Sequence, residues 1–503
     1  MSLTGIKNHF VNWREWELNP VVIKELRQGV RSWTVTGMLL LFLVVLFITS
    51  LGFLITQSFD VDSDLQLGGT VFSFFVVILA GASILFIPLY TAVRVAFERQ
   101  ENNPDLLYVT TLSPFRIIFG KFLCSAYIVL LFFSACMPFM AFTNLLRGVD
   151  LPTVFYILFL LFVMICGANM AAIFFACLPV SRAFKILIAI GGVAASFVTI
   201  VSAVGFALNL MRSGVGAMMA GRDFWIGTLT YTGIVSAVAG LFFVLSVALI
   251  SPPSANRAFP VRAYLTAAWL LGGLLCLGWV IHSGDAEVIL AWVYPTFIIM
   301  MLALLASIGN ADVLSLRVQR TIPRSKINRL PAFLFFNGAA GGLLWVGAVL
   351  VVTGFAAWSI LLWFPVRVGA PSHDLRWFAI TAAYAFAYSL TALFIQRRFM
   401  ARRPPKLASL LAVLLAGGWA VAPSIFLFFV NRLTWQSIEG FQPGNIFNFF
   451  SLREEHDLAL HVPFAFGWLA IAWLINGRWF MQRVKNFQPP APAAAEKPGL
   501  PQP

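Results

Sequence analysis

Uninterrupted apolar runs of about 20 residues recur along this 503-residue chain, and about 20 residues is the length an α-helix needs to cross the hydrocarbon core of a bilayer. Such runs cannot all be hidden inside a water-soluble fold. Only 11% of the residues are charged and 60% are hydrophobic, whereas a soluble domain carries roughly 25% charged residues. The solvent for most of the chain must be lipid. In lipid every backbone N–H and C=O has to be satisfied within the protein, so spans are helices or closed barrels. Barrel strands alternate in polarity over about 10 residues; these runs do not alternate. The expected fold class is all-α, a polytopic transmembrane helical bundle of about 12 spans. The runs fall near 33–57, 70–93, 122–143, 153–178, 186–211, 224–250, 264–282, 288–309, 333–363, 377–395, 407–430 and 459–476. The run 333–363 is long and holds Gly338, Gly341 and Gly342. It reads as an interfacial turn followed by one tilted span. Gly338 and Gly342 also form a small-xxx-small pair, better suited to packing inside the monomer than to dimerisation.

Orientation follows from the loops, because Lys and Arg concentrate on the cytoplasmic side. With the N-terminus inside, 27 of the 34 Lys and Arg fall in inside segments, together with only 8 of the 20 Asp and Glu. Both termini are therefore expected in the cytoplasm. The formal net charge of +14 is a consequence of this topology. Nucleic acid is not required as a partner; anionic lipid headgroups are the expected neighbours of the charge. The chain divides into a cytoplasmic N-terminus (1–32), a six-span region (33–250), a second six-span region (251–476) and a disordered Pro/Ala-rich cytoplasmic tail (477–503). The first 32 residues are polar and amphipathic, unlike a cleavable signal. The outer segment 431–458 is aromatic, as interfacial segments are.

No chemistry-bearing constellation emerges. Cys124, Cys136, Cys166, Cys177 and Cys276 all lie in apolar runs without CxxC spacing and read as packing residues. His456 and His461 are five residues apart, poor spacing for one helix face. GxxxxGK[ST] is absent, so no ATP site of the P-loop type is expected on this chain. No catalytic, metal or cofactor-binding residues are expected, and the protein does not read as an enzyme. The spans as drawn contain no Asp, Glu, Lys or Arg, which argues against proton relays and charged ion pathways. Asn169 and Asn209 read as helix-bridging amides.

Two segments stand out. In 19–33, NPVVIKELRQGVRSW, Asn19 suits an N-cap and Pro20 the first helical position. At 100° per residue Val22, Ile23, Leu26, Val30 and Trp33 share one face, and Lys24, Glu25, Arg27, Gln28 and Arg31 the other. The spacing predicts an amphipathic helix lying in the inner interface. In 97–121, FERQENNPDLLYVTTLSPFRIIFGK, Glu98, Arg99 and Glu101 precede the turn 102–105. Apolar Leu106 and Leu107 follow, and Ser113–Pro114 begins a helix. Apolar residues in an aqueous loop need burial, in the membrane interface or in a groove on a soluble partner.

Both segments resemble the permease subunits of ABC transporters of the ABC-2 type. In that family a basic amphipathic elbow helix precedes the first span. The loop after the second span follows a pattern close to ERERGTLELLLATPLSP, then a helix ending in GK. This chain has ERQENNPDLLYVTTLSP and then Gly120–Lys121. It matches at Glu98, Arg99, Leu106, Leu107, Thr110 or Thr111, Leu112, Ser113, Pro114, Gly120 and Lys121. Asp105 keeps an acid, and Asn102, Pro104 and Thr111 depart from the pattern. The likeness covers roughly residues 15–250. It implies an ATPase-coupling loop built on Glu98, Arg99, Glu101, Asp105, Leu106, Leu107, Ser113 and Pro114. It also implies an elbow helix with Asn19, Pro20, Lys24, Glu25, Arg27 and Arg31. A separate ABC ATPase subunit would hold the ATP, and homodimerisation through the first half is expected.

The second half carries no copy of either motif, which argues against two fused identical permease domains. It has a basic loop, SLRVQRTIPRSKINRLP, entering FLFFNGAAGG. The sequence thus favours the membrane subunit of an ABC transporter in the inner or plasma membrane of a bacterium. A membrane scaffold without transport, and a membrane-embedded lipid-modifying enzyme or secondary carrier, stay open beside it.

Overall fold

The computed structural model describes residues 20–57, 67–101, 113–146, 149–310, 314–364, 366, 371–430, 444–446 and 455–490. The described residues are mostly helical and contain no strand. Ten of the helices are long and apolar enough to cross a membrane, which makes this a multi-pass membrane protein. The chain divides into two compact units, Met1–Pro252 and Pro253–Pro503.

In the first unit α1 (Pro20–Val30) precedes α2 (Trp33–Gln57). Next, α3 (Leu67–Gly81) passes through a π turn, Ala82–Phe86, into α4 (Ile87–Glu101). Pro88 accounts for the π turn. A proline within a helix has no N–H to give and its ring presses on the carbonyl four residues earlier, here that of Ile84. Widening one turn relieves the clash. The unit continues with α5 (Pro114–Leu145), α6 (Leu151–Cys177), α7 (Arg182–Ser213) and α8 (Arg222–Ile250). Each of α5, α6 and α7 has a side-chain cap: Ser113, Asp150 and Ser181 accept from the backbone N–H of Arg116, Thr153 and Phe184. Phe72, Phe75, Leu79, Phe132, Met140 and Ile157 are fully buried at the centre. The ring of Phe42 lies 5.2 Å from that of Phe132. Because lipid tails are as apolar as these side chains, close fit rather than transfer from water holds such helices together.

The second unit comprises α9 (Ala258–Ser283), α10 (Leu290–Ile308), α11 (Lys326–Phe335), α12 (Ala339–Trp363), α13 (Pro371–Phe399), α14 (Leu407–Val430) and α15 (Glu455–Asn486). The expected runs 407–430 and 459–476 are helical, within α14 and α15. The last helix, α15, continues to Asn486, so residues 477–486 are helix rather than part of a disordered tail, because the apolar Trp479 and Phe480 keep a face for the helix to bury, while 491–503 lie outside the described residues. The long run 333–363 is broken where the sequence suggests a turn, between α11 and α12, at Gly338 with φ +140°. A broken helix frees carbonyls, and in an apolar setting these need donors. Arg262 supplies them: Nη1 donates to the carbonyls of Leu334 (2.7 Å) and Phe336 (2.9 Å), and Nη2 to that of Gly338 (3.3 Å). Asn337 ties the break to the start of α9, accepting from the N–H of Ala258 and donating to the carbonyl of Ala255. Gly341 and Gly342 allow the approach. A Cβ on Gly341 would lie 2.1 Å from the Phe333 carbonyl oxygen, and one on Gly342 2.4 Å from Ser307 Oγ. The small residues therefore serve packing within the chain, while Gly338 serves the backbone turn.

Two expectations are corrected. The helices run past the drawn spans and bring charge into the bundle: Arg94 lies on α4, Lys121 on α5, and Arg262, only 4% exposed, on α9. Each compensates a group that a hydropathy plot does not see. Asn169 does not bridge helices; it is fully buried, and neither amide atom has a hydrogen-bond partner among the described residues. Asn209 is exposed, and its amide bridges no helices among the described residues.

Candidate functional site: a charge cluster joining the elbow helix to the loop-flanking helices

The site is built where three helix ends meet: α1, the end of α4 and the first turns of α5. Ser113 caps α5, with Pro114 at the first position, as its sequence implies. That start puts Lys121 two turns in, on the side facing α1. On α4, Arg94 and Glu98 are one turn apart and share a face.

Glu25 of α1 sits between the two cations. Its Oε1 is 2.8 Å from Lys121 Nζ and its Oε2 is 3.2 Å from Arg94 Nη2. Lys121 also pairs with Glu98. Arg94 donates to Gln28 Oε1 at 2.7 Å and to the Tyr90 hydroxyl at 3.0 Å, and its guanidinium lies over the Tyr90 ring. Two acids and two bases balance, so the cluster is neutral as a whole. It is also largely withdrawn from water: the side chains of Glu25 and Lys121 are 8% and 11% exposed, against 32% for Glu98. Burial alone would push the Glu25 carboxyl above its ordinary value of 4.5. The charge and hydrogen bond of Lys121, with Arg94 behind it, outweigh burial and hold it below. A cavity of about 20 Å³ beside the cluster, lined by Glu25, Tyr90, Arg94 and Lys121 among others, has room for about one water.

The arrangement corrects the helical-wheel reading of α1. Glu25 belongs to the buried face, with Val22 and Gly29, while Ile23 and Trp33 are exposed. A wheel sends every charge to water, but paired cations on neighbouring helices turned Glu25 inward. Lys24, Arg27 and Arg31 remain exposed. Gly29 faces α5, where a Cβ would lie in ordinary contact with Cys124 Sγ, 3.9 Å away.

Of the expected loop residues, Glu98, Ser113 and Pro114 are placed by the structure. Glu101 ends α4, but its side chain, like that of Arg99, lies outside the described residues, as do Asn19, Asp105, Leu106 and Leu107. Arg94, Gln28, Tyr90 and the pairing role of Lys121 were missed by sequence reasoning. The available signal was Arg94 followed one turn later by Glu98 directly after an apolar run, a pairing only worth making if a third helix supplies the counter-charge.

Among the described residues no group of three or more His, Cys, Asp or Glu could hold a metal ion. The cluster contains no activated nucleophile. What it can do is mechanical, because it fastens α1 to both helices that flank residues 102–112. Comparisons with models of known protein families, with curated proteins and with solved structures find no match.

Proposed function

We propose that this protein is the membrane subunit of an ABC transporter, moving its substrate with ATP hydrolysed by a separate ATPase subunit. The observation that carries the reading is the four-charge cluster. A soluble motor can drive a membrane helix only through a rigid connection. The segment between α4 and α5 is the one whose sequence resembles an ATPase-coupling loop. Its two roots are cross-linked to each other through Lys121 and Glu98, and to the elbow helix through Glu25. Force applied at 102–112 would pass to three helices at once.

In this reading the chain crosses the bacterial inner membrane twelve times with both ends in the cytoplasm. The basic loops face anionic lipid headgroups and the ATPase, and ATP is bound by the partner. Two copies would work together through their first units, with no nucleic acid involved. The reading is tested by affinity purification of the tagged full chain from its native membrane with mass spectrometry. Wild type is compared with a Glu98→Ala, Leu106→Asp double variant. A P-loop ATPase that accompanies wild type and is lost from the variant supports the proposal. Absence of any ATPase from both overturns it and moves the scaffold reading ahead.

A further inference from the structure

A second feature of the first unit lies apart from the charge cluster. On facing sides of α4, α6 and α7, Ala92, Ala168, Ala172, Ala189 and Gly192 present little more than backbone. They leave a groove of about 580 Å³, within the range of ligand sites. The groove is open at its flank, where Leu89, Phe175 and Ile186 are 41%, 42% and 63% exposed. Its lining is apolar except at one end. Ser196 and Thr199 also line it, but their hydroxyls donate to the carbonyls of Gly192 and Ala195 in their own helix. The only charged residue in the lining is Lys185. It is half-buried and in no ion pair among the described residues, where Glu25 and Glu98 are taken by Arg94 and Lys121.

These features define an occupant. Lys185 and Thr199 are 14 residues apart on α7, so the groove extends for about 21 Å at 1.5 Å per residue. One leaflet contributes about 15 Å of hydrocarbon, half of the roughly 30 Å core. The groove therefore accommodates a chain from the headgroup level to the bilayer midplane. It offers nothing that would recognise a polar molecule along its length, and at the end near the 179–185 loop one ammonium that is in no ion pair among the described residues. A cation with part of its hydration removed is stabilised by an anion at hydrogen-bond distance. We propose that the groove is a binding site for an anionic phospholipid, with one acyl chain between α4, α6 and α7 and the phosphate at Lys185.

The test uses the purified full chain in liposomes of phosphatidylcholine and phosphatidylglycerol. A trace of either lipid bears a photoreactive diazirine in its acyl chain, and cross-linked peptides are mapped by mass spectrometry. Phosphatidylglycerol is expected to label peptides within 84–96, 168–176 and 185–199 about fivefold more than matched phosphatidylcholine, the preference one lysine near a membrane surface supplies. Lys185→Gln should bring the two lipids to parity, and Ala172→Phe should reduce labelling by both. Equal labelling of wild type by the two lipids overturns the proposal, as does an unchanged preference in Lys185→Gln. Labelling no greater than that of α2 also overturns it, meaning that lipid passes over the groove or that protein covers it. If Ala172→Phe fails to fold, the wild-type and Lys185→Gln comparisons decide alone.

Discussion

Replacing Glu25 by Gln keeps the size of the side chain and an oxygen that can accept from Lys121, and removes only the charge. The two contacts of Glu25, at 2.8 and 3.2 Å, are each about 5 kcal/mol of gross attraction at an effective dielectric near 20. Most of that is offset by the desolvation of the ions themselves. Removing one member of a fully buried pair costs about 3–5 kcal/mol. Here Lys121 retains Glu98, and Arg94 is 23% exposed, so the expected loss is about 2 kcal/mol. For a unit of this size each kcal/mol moves Tm by about 2–4 °C, and Glu25→Gln should therefore melt about 4–8 °C below wild type in mild detergent. The 16 tryptophans give a fluorescence signal for the transition. A cycle with Lys121→Met should return a coupling of about 1–2 kcal/mol. Glu98→Gln, at the wetter edge of the cluster, should cost less than about 1 kcal/mol. The pH dependence has a definite sign. The carboxyl of Glu25 is held below its ordinary 4.5 in the folded protein, so its contribution is complete above about pH 4.5 and fades as the pH falls through the lower folded value. Wild type should lose its advantage over Glu25→Gln in that acid window and keep it at neutral pH. Equal melting temperatures at pH 7, or a difference that persists unchanged at pH 3, would refute the account of the cluster.

Other expectations follow from the same geometry. Gly341→Ala places a methyl against the Phe333 carbonyl, backbone that cannot step aside, and should cost about 1–3 kcal/mol by thermal unfolding. Arg262→Met leaves three carbonyls without their donor and should lower stability by about 2–4 kcal/mol, with proteolytic nicking at the α11–α12 break as the local readout. Asn169→Leu removes a fully buried amide with no hydrogen-bond partner; it should raise stability by about 1–2 kcal/mol, and a loss of stability would mean that the amide is satisfied by a bound water. Tyr384→Phe deletes the 2.8 Å hydrogen bond to His461 and should cost about 1 kcal/mol.

The fold class was legible because a membrane span is a matter of length and apolarity, and both are local. So was the break in 333–363, since the glycines announce it. The helix ends were less legible. A span is drawn where hydropathy falls, yet α4 and α5 extend to Glu101 and from Pro114, because charges that find partners do not end a helix. Glu25 is the sharpest case. It is the one acid within 19–33, yet nothing there says that it turns inward; its burial depends on Arg94 and Lys121, which lie 69 and 96 positions away. Arg262 was invisible for the same reason, since its acceptors are backbone carbonyls some 70 residues on, freed by a break that only the folded chain displays.

The two units solve a common problem differently. Each buries a cation near a helix end, and the difference lies in what receives it. In the first unit Arg94 and Lys121 meet carboxylates from separate helices. A shift of one helix then separates unit charges, which resists deformation steeply and ties the three helix ends into one piece. In the second unit Arg262 meets carbonyls of a single broken segment, and no acid among the described residues takes part. That bond seals a turn in place but fastens no elbow helix and no pair of loop-flanking roots. If force enters this protein from a soluble motor, the first unit has the connected framework to receive it, and Arg262 gives the second no comparable link between helices. Exchanging the charges of the pair, Glu25→Lys with Lys121→Glu, puts this to the test. It inverts Glu25 against Arg94 and Lys121 against Glu98, so stability should fall by more than in either neutral variant, and co-purification of an ATPase should fall with it. An exchange that restored both would show that the Glu25–Lys121 contact acts alone, and the connection to α4 would lose its part in the mechanism.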